Sequence, residues 1–334
     1  MHPHDKLLPL FVPFVSRINP AVDEADARSV EWALVAGLVN PVGVARLRAA
    51  RFAWLSSRAY PTAPVEGLVL VSRWNLWLFA HDDACDAAAI GRDPAAMSRL
   101  YARLVPVLRG GPVDAADPPL AVALHDLVAG IFAVARPAWQ ARFAAAVETY
   151  FEGCLWEARN RAARRTPGLQ EYIHMRRAAG AVQTAIELIE VCEELVLDDE
   201  MLDHLDVSAL AVMCNDVVCW TNDLASLPKE IAEGNVHNLV VVLQHERCRG
   251  NWAHAVALAQ QQLDARVREF IALADNLPCF GAPRDAELAR YVENLRAWMR
   301  GNLDWAMESG RYRMAGAGEL PADPGAPAAA PQPG

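Results

Sequence analysis

The chain of 334 residues is 53% hydrophobic and 22% charged, with ten Trp, which is enough apolar material for a large globular core. Its formal net charge of −10 argues against a nucleic-acid partner, which would require a basic face. Seven cysteines at 85, 154, 192, 214, 219, 248 and 279 show no C-x-x-C spacing, so neither a zinc site nor a disulfide framework is expected, and the setting reads as reducing and cytoplasmic.

The chain begins MHPHDKLLPLFVPFV, with no basic leader before a continuous apolar core, and no apolar run is long enough to span a bilayer, so no stable membrane association is expected. Residues 1–20 are Pro-rich and read as an irregular strap over the fold. Helical spacing of Ala, Leu, Val and Trp runs from Asp23 to about Arg58, with a break at Asn40-Pro41. A second pattern over 68–89 carries Val71, Trp74, Leu78 and Phe79 on one apolar stripe and ends in HDDACD. Further helices are predicted over 93–107, 120–135, 137–165, 169–195, 201–232, 238–246, 251–276 and 285–309, separated by Gly and Pro signals. No useful strand pattern, repeat or interior linker occurs. The prediction is an all-α single domain over 21–314, followed by a Pro-, Ala- and Gly-rich tail, 315–334, that is too poor in core-forming residues to pack.

Two helical stretches carry the chemistry. Residues 221–230 read TNDLASLPKE, and Asn222, Ser226 and Glu230 fall at i, i+4 and i+8, on one helix face over about 12 Å of rise. An amide oxygen, a hydroxyl and a carboxylate are the hard donors that Mg²⁺ takes. Lys229, one of only two lysines, suits an anion such as phosphate bound beside that metal. The plain alternative is a solvated polar face. Upstream, Asp82, Asp83 and Asp86 put three mutually repelling carboxylates in one turn at the end of the apolar stripe, where a divalent metal would supply counter-charge. Without a nucleotide-binding glycine signature, such a pair of helices points to metal ions holding a diphosphate between them. Asn215, Cys219 and Asp223 repeat the i, i+4, i+8 spacing, but a thiol suits Mg²⁺ poorly, so they read as core or supporting residues. His81 reads as a helix-surface neighbour of Asp82 rather than a base, and Trp54, Trp74 and Trp77 read as packing.

The motif pair D-D-x-x-D and N-D-x-x-S-x-x-K-E resembles the bacterial class I terpene synthases. PFVSRINP near the start, the Trp-rich helix before Asp82, Arg176 at 46 positions before Asn222, and Arg311-Tyr312 after Trp305 are similar to features of that family in the same order. The likeness covers about residues 10–313. It implies a class I terpenoid synthase-like helical bundle around a central active-site cavity, and Mg²⁺-dependent ionisation and cyclisation of a linear prenyl diphosphate. Farnesyl diphosphate is the default substrate, giving a cyclic terpene hydrocarbon or alcohol and free diphosphate. Relatives also imply three Mg²⁺ ions, with Mn²⁺ as a substitute, and a homodimer as a common assembly.

By the same resemblance Asp82 is the leading metal ligand and Asp86 a weaker one, while Asn222, Ser226 and Glu230 hold a further ion. Asp83 would orient Arg176. Arg176, Lys229, Arg311 and Tyr312 would donate to the diphosphate, the Gly180 carbonyl would face the substrate at a helix break, and Phe79 and Trp305 would offer ring faces to a carbocation. Arg177 competes with Arg176, and only the spacing favours the latter. Ala179 departs from the polar residue that many relatives carry there, and Pro228 should kink the helix between Ser226 and Glu230. Two rivals stand beside this reading. A chain-elongating prenyl transferase would want a second aspartate-rich motif, and a non-catalytic helical protein would bind metal and diphosphate without turnover.

Overall fold

Apolar residues at three- and four-residue spacing, cut by Pro and Gly, fold into fifteen α-helices among the described residues. The computed structural model describes residues 10–87 and 90–313, and the side chains of all of these except 86, 87, 312 and 313. Among the described residues there is no strand. In chain order the helices are α1 (Val22–Val35), α2 (Val44–Ala50), α3 (Phe52–Ala59) and α4 (Val65–Ala87), then, after a 3₁₀ turn at Ile90–Arg92, α5 (Pro94–Leu108), α6 (Pro119–Val134) and α7 (Pro137–Ala163). They continue as α8 (Leu169–Ala179), α9 (Val182–Cys192), α10 (Asp199–Leu202), α11 (Leu205–Glu233) and α12 (Leu239–Glu246), and close with α13 (Trp252–Ala274), α14 (Ala282–Glu308) and α15 (Gly310–Arg313).

Most starts and stops have local causes. Asp93 caps α5 by accepting from the Ala95 and Ala96 amides, with Pro94 in the first turn, and Asn238 and Asn251 cap α12 and α13 in the same way. Three predicted helices are subdivided. The stretch 23–58 becomes α1 and, past the expected break at Asn40-Pro41, α2 and α3, which are separated by Arg51 in the left-handed region at φ 56°. The stretch 201–232 becomes α10 and α11. The stretch 169–195 splits into α8 and α9 at Gly180 and Ala181, where Ala181 takes φ 58°. A non-glycine residue in that region is strained, so the break is held by its surroundings.

The strap runs irregularly through residues 10–20, and its backbone is tied down by side chains of the last long helices. Phe11 N donates to Asp264 Oδ1 at 3.0 Å, and Arg300 Nη1 donates to the Val12 carbonyl at 3.3 Å. Residues 1–9 and the predicted tail lie outside the described residues. Trp74, Trp77, Trp139, Phe143 and Phe270 are fully buried, and Trp74 meets Phe143 edge-on at 4.9 Å. Burial of each such side chain stabilises the fold by roughly 1.5–3 kcal/mol. Trp74 and Trp77 are therefore packing residues, as the sequence reading expects.

α11 packs along α13 and α14, α14 packs on α3, and α7 packs on α8. The α7–α8 contact is a backbone approach. A Cβ built on Gly153 would lie 2.4 Å from the Ala179 nitrogen and 2.7 Å from its Cα. Gly153→Ala is therefore predicted to push α8 away and to destabilise the protein by about 1–3 kcal/mol in thermal unfolding. An unchanged melting temperature would contradict this close approach.

Candidate active site

α4, α8, α11 and α14, with the turn after α8, supply most of the lining of a cavity of about 170 Å³. α4 supplies Asn75, Phe79 and Asp82 at i, i+4 and i+7, and α14 supplies Trp298, Asn302 and Trp305 with the same spacing. α8 supplies Arg176 and the following turn supplies Ala179 to Ala181. α11 presents Asn222, Ser226, Lys229 and Glu230 to the same space, with Arg311 of α15 beside Asp82. The two predicted motif helices thus meet at one cavity.

On α11 the Ser226 and Glu230 side chains meet, Ser226 also reaches the main-chain carbonyl of Asn222, and the Asn222 side-chain oxygen accepts from Arg176. Ser226 Oγ lies 2.9 Å from Glu230 Oε1 and 2.7 Å from the Asn222 carbonyl oxygen. α11 runs through Pro228 to Glu233, so the proline interrupts neither the helix nor this side-chain alignment. Glu230 Oε2 accepts from Asn238 Nδ2 at 2.7 Å. Burial, reinforced by the nearby Asp223 charge, pushes the Glu230 carboxyl up to about 8. A bound cation would reverse that balance, so a buried carboxylate aligned with a hydroxyl and an amide fits a divalent ion of the Mg²⁺ type.

Arg176 is fixed by Asp223, the residue next to Asn222. Its Nε donates to Asp223 Oδ1 at 3.0 Å and its Nη2 to Asn222 Oδ1 at 3.0 Å. The other Asp223 oxygen accepts from the Tyr172 hydroxyl and, at 3.0 Å, from the Leu239 amide. Arg177 turns the other way, forming a two-toothed pair with Asp216 at 2.7 and 2.9 Å. Geometry therefore separates the two arginines that the sequence leaves adjacent.

The second row on α11 supports α8. Asn215 Nδ2 donates to the Arg177 carbonyl at 3.1 Å, and Cys219 Sγ lies 3.7 Å from the Arg176 carbonyl. These carbonyls belong to the last turn of α8, where helical partners run out. Gly180 packs so closely on Cys219 that an added Cβ would sit 2.4 Å from its Sγ. Ala179 lines the cavity as an apolar residue and makes no polar link to Arg176.

Two expectations are corrected. Asp83 does not orient Arg176, because Asp223 already holds that guanidinium; Asp83 instead binds Arg311, whose Nη2 lies 3.1 Å from Asp83 Oδ1 and 2.8 Å from Asp82 Oδ2. His81 is not a helix-surface neighbour of Asp82. It is fully buried one turn after Trp77, on which it stacks at 5.6 Å, and its Nδ1 lies 2.8 Å from the Tyr150 hydroxyl. Burial lowers its pKa to about 4, against the opposing pull of Asp82, so the ring is neutral near pH 7.

Phe79 and Trp305 both line the cavity with ring centroids 5.6 Å apart, and Arg311 lies 4.7 Å over Phe79. Lys229 lines it too, with Nζ 3.8 Å from Glu233 Oε2. The side chains of Asp86 and Tyr312 lie outside the described residues. Asn75, Tyr150, Trp298 and Asn302 were not singled out from sequence. Asn75 and Asn302 stand one helical turn before Phe79 and Trp305, a signal that spacing carried; Tyr150, on α7, has no such marker.

The family model described as terpene synthase family 2, C-terminal metal binding, matches residues 73–269. The chain is 32% identical over 304 residues to germacrene A synthase of Nostoc punctiforme, covering 91% of this chain and 94% of that protein. It is 35% identical over 309 residues to (+)-T-muurolol synthase ((2E,6E)-farnesyl diphosphate cyclizing) of Roseiflexus castenholzii, covering 91% and 93%. The chain belongs to the terpene synthase family. Its fold matches the crystal structure of germacradien-4-ol synthase from Streptomyces citricolor with a TM-score of 0.78 and 26% identity, over 90% of this chain and 98% of that one. This terpene synthase has the all-α class I fold, and no helix among the described residues is long and apolar enough to cross a membrane.

The Asp223 pair gives a stability test of the site. Asp223→Ala would leave the Arg176 charge and the Tyr172 hydroxyl buried without their acceptor, so a loss of about 3–5 kcal/mol is expected in denaturant unfolding. A loss below about 1 kcal/mol would contradict the role given to this carboxylate.

Proposed function

We propose that this terpene synthase ionises farnesyl diphosphate and cyclises the resulting allylic cation, releasing diphosphate. The observation that carries the reading is α11, which lines one cavity with an amide, a hydroxyl and a carboxylate, in company with Arg176, Lys229, Asp82, Phe79 and Trp305. Asn222, Ser226 and Glu230 on one side, and Asp82 with Asp86 on the other, would hold Mg²⁺. We take the number of ions as three, with Mn²⁺ as a substitute. When bound, the metal supplies positive charge that makes diphosphate a good leaving group.

The chain's own residues do the rest. Arg176 enters the site already oriented by Asp223, and Lys229 and Arg311 approach from other helices. Together with Tyr312 they donate hydrogen bonds to oxygens whose negative charge grows as the carbon–oxygen bond breaks. Arg311 bridges Asp82 and Asp83 at the mouth, which favours exclusion of water from the cation. The faces of Phe79 and Trp305 stabilise a desolvated cation by about 2 kcal/mol each. The Gly180 backbone, at the break between α8 and α9, meets the substrate near the reacting end. We assign this activity to one helical domain of the cytoplasm, acting as a homodimer.

The test is incubation with geranyl, farnesyl and geranylgeranyl diphosphates with and without Mg²⁺, read by gas chromatography–mass spectrometry and by diphosphate release. A cyclic fifteen-carbon product that forms from farnesyl diphosphate, stops on chelation and returns with Mg²⁺ is expected. Recovery of all three substrates intact would overturn the reading. Glu230→Gln is expected to raise the Mg²⁺ concentration needed for half-maximal rate by at least about tenfold, and an unchanged metal dependence would remove Glu230 from the ligand set.

A further inference from the structure

The cavity floor carries two polar side chains that diphosphate binding does not use. Asn75 stands on α4 seven residues before Asp82, and Asn302 stands on α14 nine residues before Arg311, which pairs with Asp82 at the mouth. At about 1.5 Å per residue Asn75 lies roughly 10 Å below Asp82 along α4, and Asn302 lies one turn before Trp305 on α14, beside the Val218 carbonyl of α11. Phe79 and Trp305 sit one turn nearer the mouth on the same two helices and meet at 5.6 Å, which brings the turns bearing Asn75 and Asn302 to one level. The wall therefore runs from charged groups through aromatic rings to a pair of amides.

Hydrogen bonding fixes which end of each amide is which. Asn302 Nδ2 donates to the Val218 carbonyl at 3.2 Å, a partner that accepts only. Asn75 Nδ2 donates at 3.0 Å to Ser56 Oγ, whose own hydrogen is directed to the Phe52 carbonyl at 3.2 Å. Each Oδ1 is turned to the opposite side and, among the described residues, accepts no protein hydrogen bond. Both residues are only 3–4% exposed and line the cavity, and neither oxygen is sealed inside protein as Asn294 Oδ1 is. Four other buried asparagines, Asn19, Asn160, Asn215 and Asn238, set Oδ1 against a protein donor. Buried acceptors are normally satisfied, so these two oxygens mark a place for a polar guest in the chamber.

We propose that Asn75 and Asn302 hold a water molecule on the cavity floor and that this water ends the reaction, making the product a cyclic sesquiterpene alcohol. The inference rests on the farnesyl diphosphate reading above. The two amide oxygens accept the two hydrogens of the water, which leaves its lone pairs directed into the chamber. A lone pair forms the new carbon–oxygen bond to the cationic carbon. The resulting oxonium loses one proton, which is taken up by the diphosphate released in the same turnover, so that farnesyl diphosphate and water become alcohol and hydrogen diphosphate.

The decisive experiment is turnover of farnesyl diphosphate with Mg²⁺ in oxygen-18 water by the unaltered enzyme, with products and diphosphate measured together. A cyclic alcohol carrying oxygen-18 is expected. Asn75→Leu and Asn302→Leu, checked for native melting, are each expected to lower the alcohol-to-hydrocarbon ratio by about tenfold, the loss that follows from one missing hydrogen bond at the nucleophile. A merely structural role would slow turnover without moving that ratio. A cyclic hydrocarbon as the sole product would overturn the inference and leave the function reading standing, as would a labelled alcohol whose ratio neither variant changes. No diphosphate release would overturn both.

Discussion

A buried carboxylate at Asp223 joins three helices: it takes the Arg176 guanidinium from α8, the Tyr172 hydroxyl one turn earlier on α8, and the Leu239 amide at the start of α12. Such a pair is strongly interdependent, since loss of one member strands the other's charge in the interior. Its consequence is registration. Because Asp223 adjoins Asn222 on α11, the helix that carries the oxygen donors also sets where the arginine meets them. Asn215 and Cys219 continue the attachment on the same face, engaging the last carbonyls of α8. Two rows of α11, one side chain apart, thus divide the work: one faces the cavity and the other holds α8 to it.

The cavity itself is graded. Charge is concentrated at the mouth, where Asp82, Asp83 and Arg311 meet, and the aromatic pair Phe79 and Trp305 lies beneath it. This order suits a reaction that begins by separating charge and continues in a desolvated space. The rings are held from behind, Phe79 by Phe52 stacked at 4.2 Å and Trp305 by its Nε1 bond to the Ala50 carbonyl at 2.9 Å. Rings fixed in this way hold their faces in place rather than rearranging around each cation.

Much of this was legible in the sequence because it depends on local spacing. The row Asn222, Ser226 and Glu230 is a property of one helix, and so is the stripe that ends at Asp82. The helix boundaries followed from Pro, Gly and cap residues, and the break implied at Gly180 is set where Gly180 packs against α11 and Ala179 against α7, just before Ala181 takes its left-handed backbone. The partners of Asp83 and Arg176 were misjudged because choosing between Arg311, Arg176 and Asp223 requires knowing which helices are neighbours. His81 was misplaced for a related reason: a polar residue beside Asp82 reads as solvent-facing until Tyr150 and Tyr101, from α7 and α5, are seen to enclose it. The Asn75–Asn302 pairing was invisible for the same cause, since it joins α4 to α14 across most of the chain.

In the proposed reading α11 places its three oxygen donors and the Asp223-held arginine at one diphosphate site. A crystal structure of the enzyme with Mg²⁺ and inorganic diphosphate tests it directly. One Mg²⁺ within about 2.0–2.1 Å of oxygens from Asn222, Ser226 and Glu230 is expected, with the Arg176 guanidinium hydrogen-bonded to the diphosphate. Diphosphate bound away from α11, or metal bound without those three oxygens, would contradict it.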